Sequence, residues 1–141
     1  DVMKKMATTL LLTPYALRLT PKSYIVHGMD GMDEISLCAD SHLLRVENGK
    51  ICDEEIINPE KFGFKKVALE ALKGADPKHN AEKLRAFLDG EKSAYRDIVI
   101  LNSAFALQLA GKVKKIGDGV ELAESMVDGG AARKVLENLR A

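Results

Sequence analysis

Asp33 and Glu34 stand side by side in the stretch YIVHGMDGMDEISL, residues 24–37, with Asp30 three residues earlier and His27 ahead of that. Adjacent carboxylates on a glycine-punctuated turn can splay to hold one hard cation, through their oxygens or through its waters. Magnesium is typically held by one or two carboxylates while a substrate phosphate completes its shell. The chemistry this pattern allows is therefore indirect: carboxylates bind the metal, and the metal carries a phosphate. The plainer alternative is a solvated acidic turn. His27 is placed to donate a hydrogen bond to a substrate or to the loop. No Ser-His-Asp or Cys-His arrangement is legible, so neither Ser36 nor Cys38 is nominated as a nucleophile and no catalytic residue is assigned.

Such a pair needs elements that hold it. Ser23-Tyr24-Ile25-Val26 is apolar, β-rich and too short for a helix, and predicts a buried, parallel strand ending at His27-Gly28. Asp30-Gly31 is a turn dipeptide, and residues 35–37 resume an extended segment. Asn48-Gly49 is the strongest local signal, since Asn-Gly favours the type I′ turn. It predicts antiparallel strands over 42–47 and 50–57. Asn58-Pro59 stops the hairpin, and Phe62-Gly63-Phe64 is a turn able to tuck aromatics beneath it.

The remainder reads as helix. Met3, Met6 and Leu10 share a face of a short helix over 2–12, broken at Thr13-Pro14. Residues 15–19 allow another turn or two. Residues 67–72 form a short element closed by Gly74, and 80–88 a helix with Asn80 as its cap. RDIVILNSAFALQLA, residues 96–110, is apolar almost all round and predicts a helix buried inside a domain, with Gly111 as its stop. Residues 119–126 and 131–139 make a last helical pair around Asp128-Gly129-Gly130.

Composition narrows the classes. A chain of 141 residues suits one domain with a real core. Its 21 basic and 21 acidic residues cancel, which argues against a nonspecific nucleic-acid or membrane surface, both of which need a positive field. Cys38 and Cys52 fall in or beside apolar runs without Cys-x-x-Cys spacing, so they read as inert, small, buried residues in a reduced, cytoplasmic setting. No apolar run approaches the roughly 18 residues of a membrane span. The apolar start does not read as a signal peptide, because Pro14 breaks the run early and no small-residue cleavage pattern follows. The chain starts at Asp1 rather than Met, which is expected of a processed chain or a piece of something longer. One clear central strand, one hairpin and a helix apolar on all sides suggest an α/β or α+β domain with part of its core outside this chain.

The segment IVHGMDGMDEIS closely resembles the His-Gly-x-Asp-Gly-x-Asp-Glu-Ile-Ser block of the anthranilate phosphoribosyltransferases. The likeness continues through Asn48-Gly49-Lys50-Ile51, Pro59-Glu60-Lys61-Phe62-Gly63, Gly74-Ala75-Asp76 with Asn80-Ala81, and Leu88-x-Gly90. It runs on through Arg96-Asp97-x-Val99, Leu101-Asn102 and Ala104, then Gly119, Ala123 and Gly130-Ala131-Ala132, spanning about residues 15–141. The resemblance implies the C-terminal portion of a phosphoribosyltransferase α/β domain, with a mixed sheet, an Asn-Gly β-hairpin and packed helices, residues 1–141 forming one partial domain of a larger two-domain enzyme. It implies transfer of the 5-phosphoribosyl group from phosphoribosyl pyrophosphate to anthranilate, in tryptophan biosynthesis, by a cytoplasmic homodimer. It assigns magnesium to Asp33 and Glu34, and loop-shaping roles to His27, Gly28, Asp30 and Gly31. Arg96, Asp97 and Asn102 are read as fold-stabilising polar contacts.

Two departures stand out. Cys38-Ala39-Asp40-Ser41-His42 occupies a stretch where the family has Gly and Thr, and Leu19-Thr20-Pro21 replaces a Leu-Gly. The family's Gly-Thr-Gly-Gly-Asp and Lys-His-Gly-Asn-Arg segments, which precede the equivalent of Tyr24, are absent from this sequence. The chain alone is therefore expected to be inactive, and to self-associate or need its missing N-terminal part. The alternatives are a non-catalytic truncated homologue serving as a structural or interaction domain, and a pyrimidine nucleoside phosphorylase-like enzyme.

Overall fold

The computed structural model describes residues 2–5 and 22–139. Residues 2–5 are helical; the rest of the helix expected over 2–12, and the elements expected over 13–21, lie outside the described residues. The chain divides into two compact units, Asp1–Asn58 and Pro59–Ala141.

The first unit carries a three-stranded sheet of β1 (Lys22–Gly28), β2 (Ser41–Glu47) and β3 (Lys50–Ile57), in that spatial order. The Asn-Gly hairpin forms as the sequence predicts. Asn48 and Gly49 take φ of 49° and 75°, the paired positive values that a type I′ turn requires. The strand at Tyr24-Ile25-Val26 forms too, but its pairing differs from the expectation. It runs antiparallel to β2, with Ile25 opposite Leu44 and Val26 opposite Leu43, and it is only half-buried. An apolar run cannot by itself report strand direction, because direction is set by the connection, and here a loop turns the chain straight back.

The buried strand is β2. Leu43, Leu44 and Val46 are all buried although Leu43 and Leu44 point to opposite faces, so both faces are covered there. Full burial of each such side chain contributes roughly 1.5–3 kcal/mol. Arg45 links the three strands: its guanidinium lies 5.4 Å from the Tyr24 ring centroid and 2.7 Å from Glu55 Oε1. Beside it the register shifts from Arg45 opposite Asp53 to Val46 opposite Ile51, leaving Cys52 as the extra residue of a bulge. Cys52 is exposed and Cys38 half-buried, so neither is the buried thiol expected from its apolar neighbours.

In the second unit two short 3-10 helices, Pro59–Phe62 and Leu69–Ala71, precede four α-helices. These are α1 (Pro77–Leu88), α2 (Ala94–Leu109), α3 (Ile116–Asp128) and α4 (Ala131–Asn138). The cap of α1 is Asp76 and not Asn80: the Asp76 carboxylate accepts from the His79 amide at 2.9 Å, and Pro77 fills the first helical position. Asn80 instead folds back on the preceding turn, accepting from Ala75 N–H and donating to Ala75 C=O. Ser93 caps α2. Its buried residues form two stripes, Ile98, Leu101 and Phe105 on one and Ile100 and Ala104 on the next, which is why the segment reads as apolar nearly all round. Phe62 packs edge-on against Phe105 with centroids 5.6 Å apart.

Candidate functional site

The acidic pair sits on the loop between β1 and β2, residues 29–40, all within the first unit. The neck of the loop is closed by its backbone. Gly28 and Ser41 are the last register pair of β1 and β2, and just beyond them Met29 N–H donates to Asp40 C=O at 2.8 Å. Inside the neck, Gly28 N–H donates to Met32 C=O at 2.8 Å and Gly31 N–H to Gly28 C=O at 2.9 Å. Gly31 holds φ +96°, a left-handed value that suits glycine. Gly28 is needed for a different reason, namely space. A Cβ there would run into the Asp30 carboxylate and lie 3.2 Å from the Cβ atoms of both Met32 and Ser36.

The far side of the loop is anchored by burial. Ile35, Ser36 and Leu37 are essentially without solvent exposure, in an irregular segment and not the extended strand the sequence suggests. The buried Ser36 is fully engaged. Its amide donates to Ser41 Oγ at 2.9 Å, its hydroxyl donates to Asp30 Oδ2 at 2.5 Å, and the same oxygen accepts from Cys38 N–H at 2.8 Å. The other Asp30 oxygen accepts from Met32 N–H at 3.2 Å. Asp30 thus clasps both sides of the turn. Partial burial would raise its pKa, but the Ser36 and Met32 hydrogen bonds, with the nearby charge of His27, hold the carboxyl below its ordinary value.

Asp33 and Glu34 are the two-residue span between these anchors, Asp33 exposed and Glu34 half-buried. Burial, and then the neighbouring Asp33 charge, push the Glu34 carboxyl above its ordinary value. Two like charges on adjacent residues, one of them half-buried, are a good complement to a divalent cation. The donors are hard oxygens, which suits magnesium over a soft metal. Among the described residues no group of three or more His, Cys, Asp and Glu converges, so an ion here would draw most of its shell from water and from a ligand's oxygens. That is the usual manner of magnesium. The residue types and exposure fit the ion.

Of the residues expected to shape this loop, Gly28, Asp30 and Gly31 do so directly, and His27 contributes through its charge on Asp30. Ser36 and Ser41 were not among the candidates, because a serine after an acidic pair carries no pattern that marks it as buried. Arg96 is a buried structural contact, as expected. Its Nη2 donates to Asp128 Oδ2 at 3.1 Å, and its Nη1 lies 2.9 Å from Oδ1 but off the direction for a hydrogen bond, so that contact is coulombic. Asn102 donates to Ile98 C=O within its own helix. A cavity of about 330 Å³ in the second unit is lined by Leu72, Lys73, Asn80, Lys83, Ser93 and Tyr95, among others; no residue of the acidic loop lines it.

Comparison with known proteins places these features in a lineage. Residues 2–133 match the family model described as "Glycosyl transferase family, a/b domain". The chain is 46% identical over 118 residues to an anthranilate phosphoribosyltransferase of Methylobacterium nodulans, and 40% identical over 118 residues to that of Azorhizobium caulinodans. Each match covers 84% of this chain and 34–35% of the relative, so the chain spans about a third of the length of the curated relatives it matches. Among solved structures, the anthranilate phosphoribosyltransferase of Thermus thermophilus is similar with a TM-score of 0.76 and 36% identity, over 89% of this chain and 38% of that one. The Saccharomyces cerevisiae enzyme "in complex with PRPP and Mg" shares the fold at a TM-score of 0.82 and 22% identity, over 95% of this chain and 38% of that one.

Proposed function

Because the chain belongs to the glycosyl transferase family, a/b domain, we propose that it is the C-terminal, metal-holding part of an anthranilate phosphoribosyltransferase. The complete protein would transfer the 5-phosphoribosyl group of phosphoribosyl pyrophosphate to anthranilate with release of pyrophosphate, in tryptophan biosynthesis. It would do so as a cytoplasmic homodimer. The observation that carries this reading is the 40–46% identity over most of this chain to relatives bearing that name. The phosphate cradle and the acceptor contacts would come from the two thirds of the relatives' length that this chain does not span.

Within that reaction, this chain's task is to place negative charge. Asp33 and Glu34 would hold magnesium, which when bound neutralises charge on the departing pyrophosphate. The leaving group is already good, so positioning and electrostatic stabilisation suffice and no covalent nucleophile is needed. The loop contributes placement: both ends of the acidic span are tied to the sheet or buried, so the backbone that carries the carboxylates would need little reordering when an ion arrives. Glu34, whose carboxyl is raised by burial and by Asp33, must be ionised to serve, so ion binding weakens as pH falls through its range.

The test is Asp33→Asn combined with Glu34→Gln in the full-length protein, assayed by steady-state kinetics across a magnesium titration. Loss of magnesium-dependent turnover with an unchanged far-UV spectrum is expected. Near-normal turnover in the double variant would overturn the metal assignment, whereas no turnover in the unsubstituted full-length protein would favour a non-catalytic homologue.

A further inference from the structure

Two carboxylates on neighbouring residues repel each other, and on an unrestrained turn they would splay into solvent. In this loop the backbone on either side of them is pinned. On the N-terminal side Met32 is held at both its backbone groups, its N–H by Asp30 Oδ1 and its C=O by Gly28 N–H. On the C-terminal side Ser36 is held by Ser41 Oγ at its amide and by Asp30 Oδ2 at its hydroxyl, with Ile35 and Leu37 buried to either side. One carboxylate, that of Asp30, therefore touches both anchors and brackets residues 33 and 34.

Taking the magnesium assignment above as its basis, we infer that Asp30 and Ser36 are positioning residues for the Asp33–Glu34 pair, a clasp that fixes the backbone carrying the two carboxylates before the ion binds. Neither residue is a ligand in this arrangement. The Asp30 oxygens are engaged with Met32 and Ser36, and the Ser36 hydroxyl is buried and shared among Asp30, Cys38 and Ala39. Their effect on the metal passes through backbone placement, as outer-shell partners act in other metal sites.

The clasp is probed by Ser36→Ala, which leaves every charge in place, and by Asp30→Asn, which removes a charge at an exposed position. Both are made in the full-length protein beside the Asp33→Asn, Glu34→Gln double variant. The probe is Mn2+ alone, with the free ion followed by electron paramagnetic resonance, and melting temperature recorded on the same samples. We expect the double variant to lose Mn2+ binding, and Ser36→Ala and Asp30→Asn each to weaken it about tenfold. The apparent KM for Mg2+ should rise with them while the KM for the amine acceptor stays within about twofold. A merely structural role predicts a lower melting temperature with unaltered Mn2+ affinity in the folded fraction, and that result overturns the clasp. If Ser36→Ala does not fold, Asp30→Asn decides alone. Wild-type Mn2+ affinity in both clasp variants, with binding lost in the double variant, refutes the clasp and leaves the metal assignment standing. Retained binding in the double variant removes both.

Discussion

Substituting Gly28 by alanine isolates the space that the acidic loop requires. The backbone there is not left-handed, so a Cβ meets no conformational penalty, only its neighbours. The Asp30 carboxylate would have to swing away, while Met32 and Ser36, whose Cβ atoms would be 3.2 Å distant, need to yield only slightly. Swinging Asp30 breaks its bond to the buried Ser36 hydroxyl, a charge-assisted contact of about 1.5 kcal/mol, and its more exposed bond to Met32 N–H, about 1 kcal/mol. Restricting the unfolded chain returns about 0.5 kcal/mol. The net loss is about 2 kcal/mol. The diagnostic is a double-mutant cycle read by urea unfolding at unchanged m. In an Asp30→Ala background the obstructing carboxylate is gone, so Gly28→Ala should then cost less than about 0.5 kcal/mol, a coupling of roughly 1.5–2 kcal/mol. Additive effects, with the double variant losing the full sum, would refute the claim that Gly28 is reserved for the Asp30 carboxylate.

Two further outcomes follow from the second unit. Gly117 and Gly119 both lie in the first turn of α3, but a Cβ at Gly117 meets nothing within 4 Å, whereas one at Gly119 would sit 2.9 Å from the Ala104 carbonyl oxygen and 3.1 Å from its Cα on α2. Gly117→Ala should therefore stabilise by about 0.5–1 kcal/mol through helix propensity, and Gly119→Ala should destabilise by about 1–2 kcal/mol through overpacking against backbone; equal signs in chemical denaturation would contradict the packing. Asp128→Asn should change the acid limb of the stability curve. Its partial desolvation is outweighed by the Arg96 hydrogen bond and charge, with Lys92, which hold its carboxyl below the ordinary 3.8. A depressed folded pKa gives stability that is present above about pH 4 and lost as pH falls through the folded value. The melting-temperature deficit of the variant should thus be full near pH 6 and close below pH 4, and a deficit independent of pH would show that the ionised carboxylate is not its source.

Local chemistry was legible in the sequence wherever it acts over a few residues. The Asn-Gly hairpin, the four helical segments and the buried character of residues 96–110 depend on turn preference, capping and side-chain period, all of which sequence neighbours determine. The acidic pair was legible for the same reason, as two carboxylates on a glycine turn. Tertiary structure alone decided what depends on residues brought together from a distance. It made β1 antiparallel, exposed Cys52 on a bulge, and paired Arg96 with Asp128 across 32 positions. It also decided that Ser36 is buried and that Asp30 grips it, because whether a hydroxyl faces solvent or a carboxylate is a property of how the neck of the loop closes, and that closure joins residues at both ends of it.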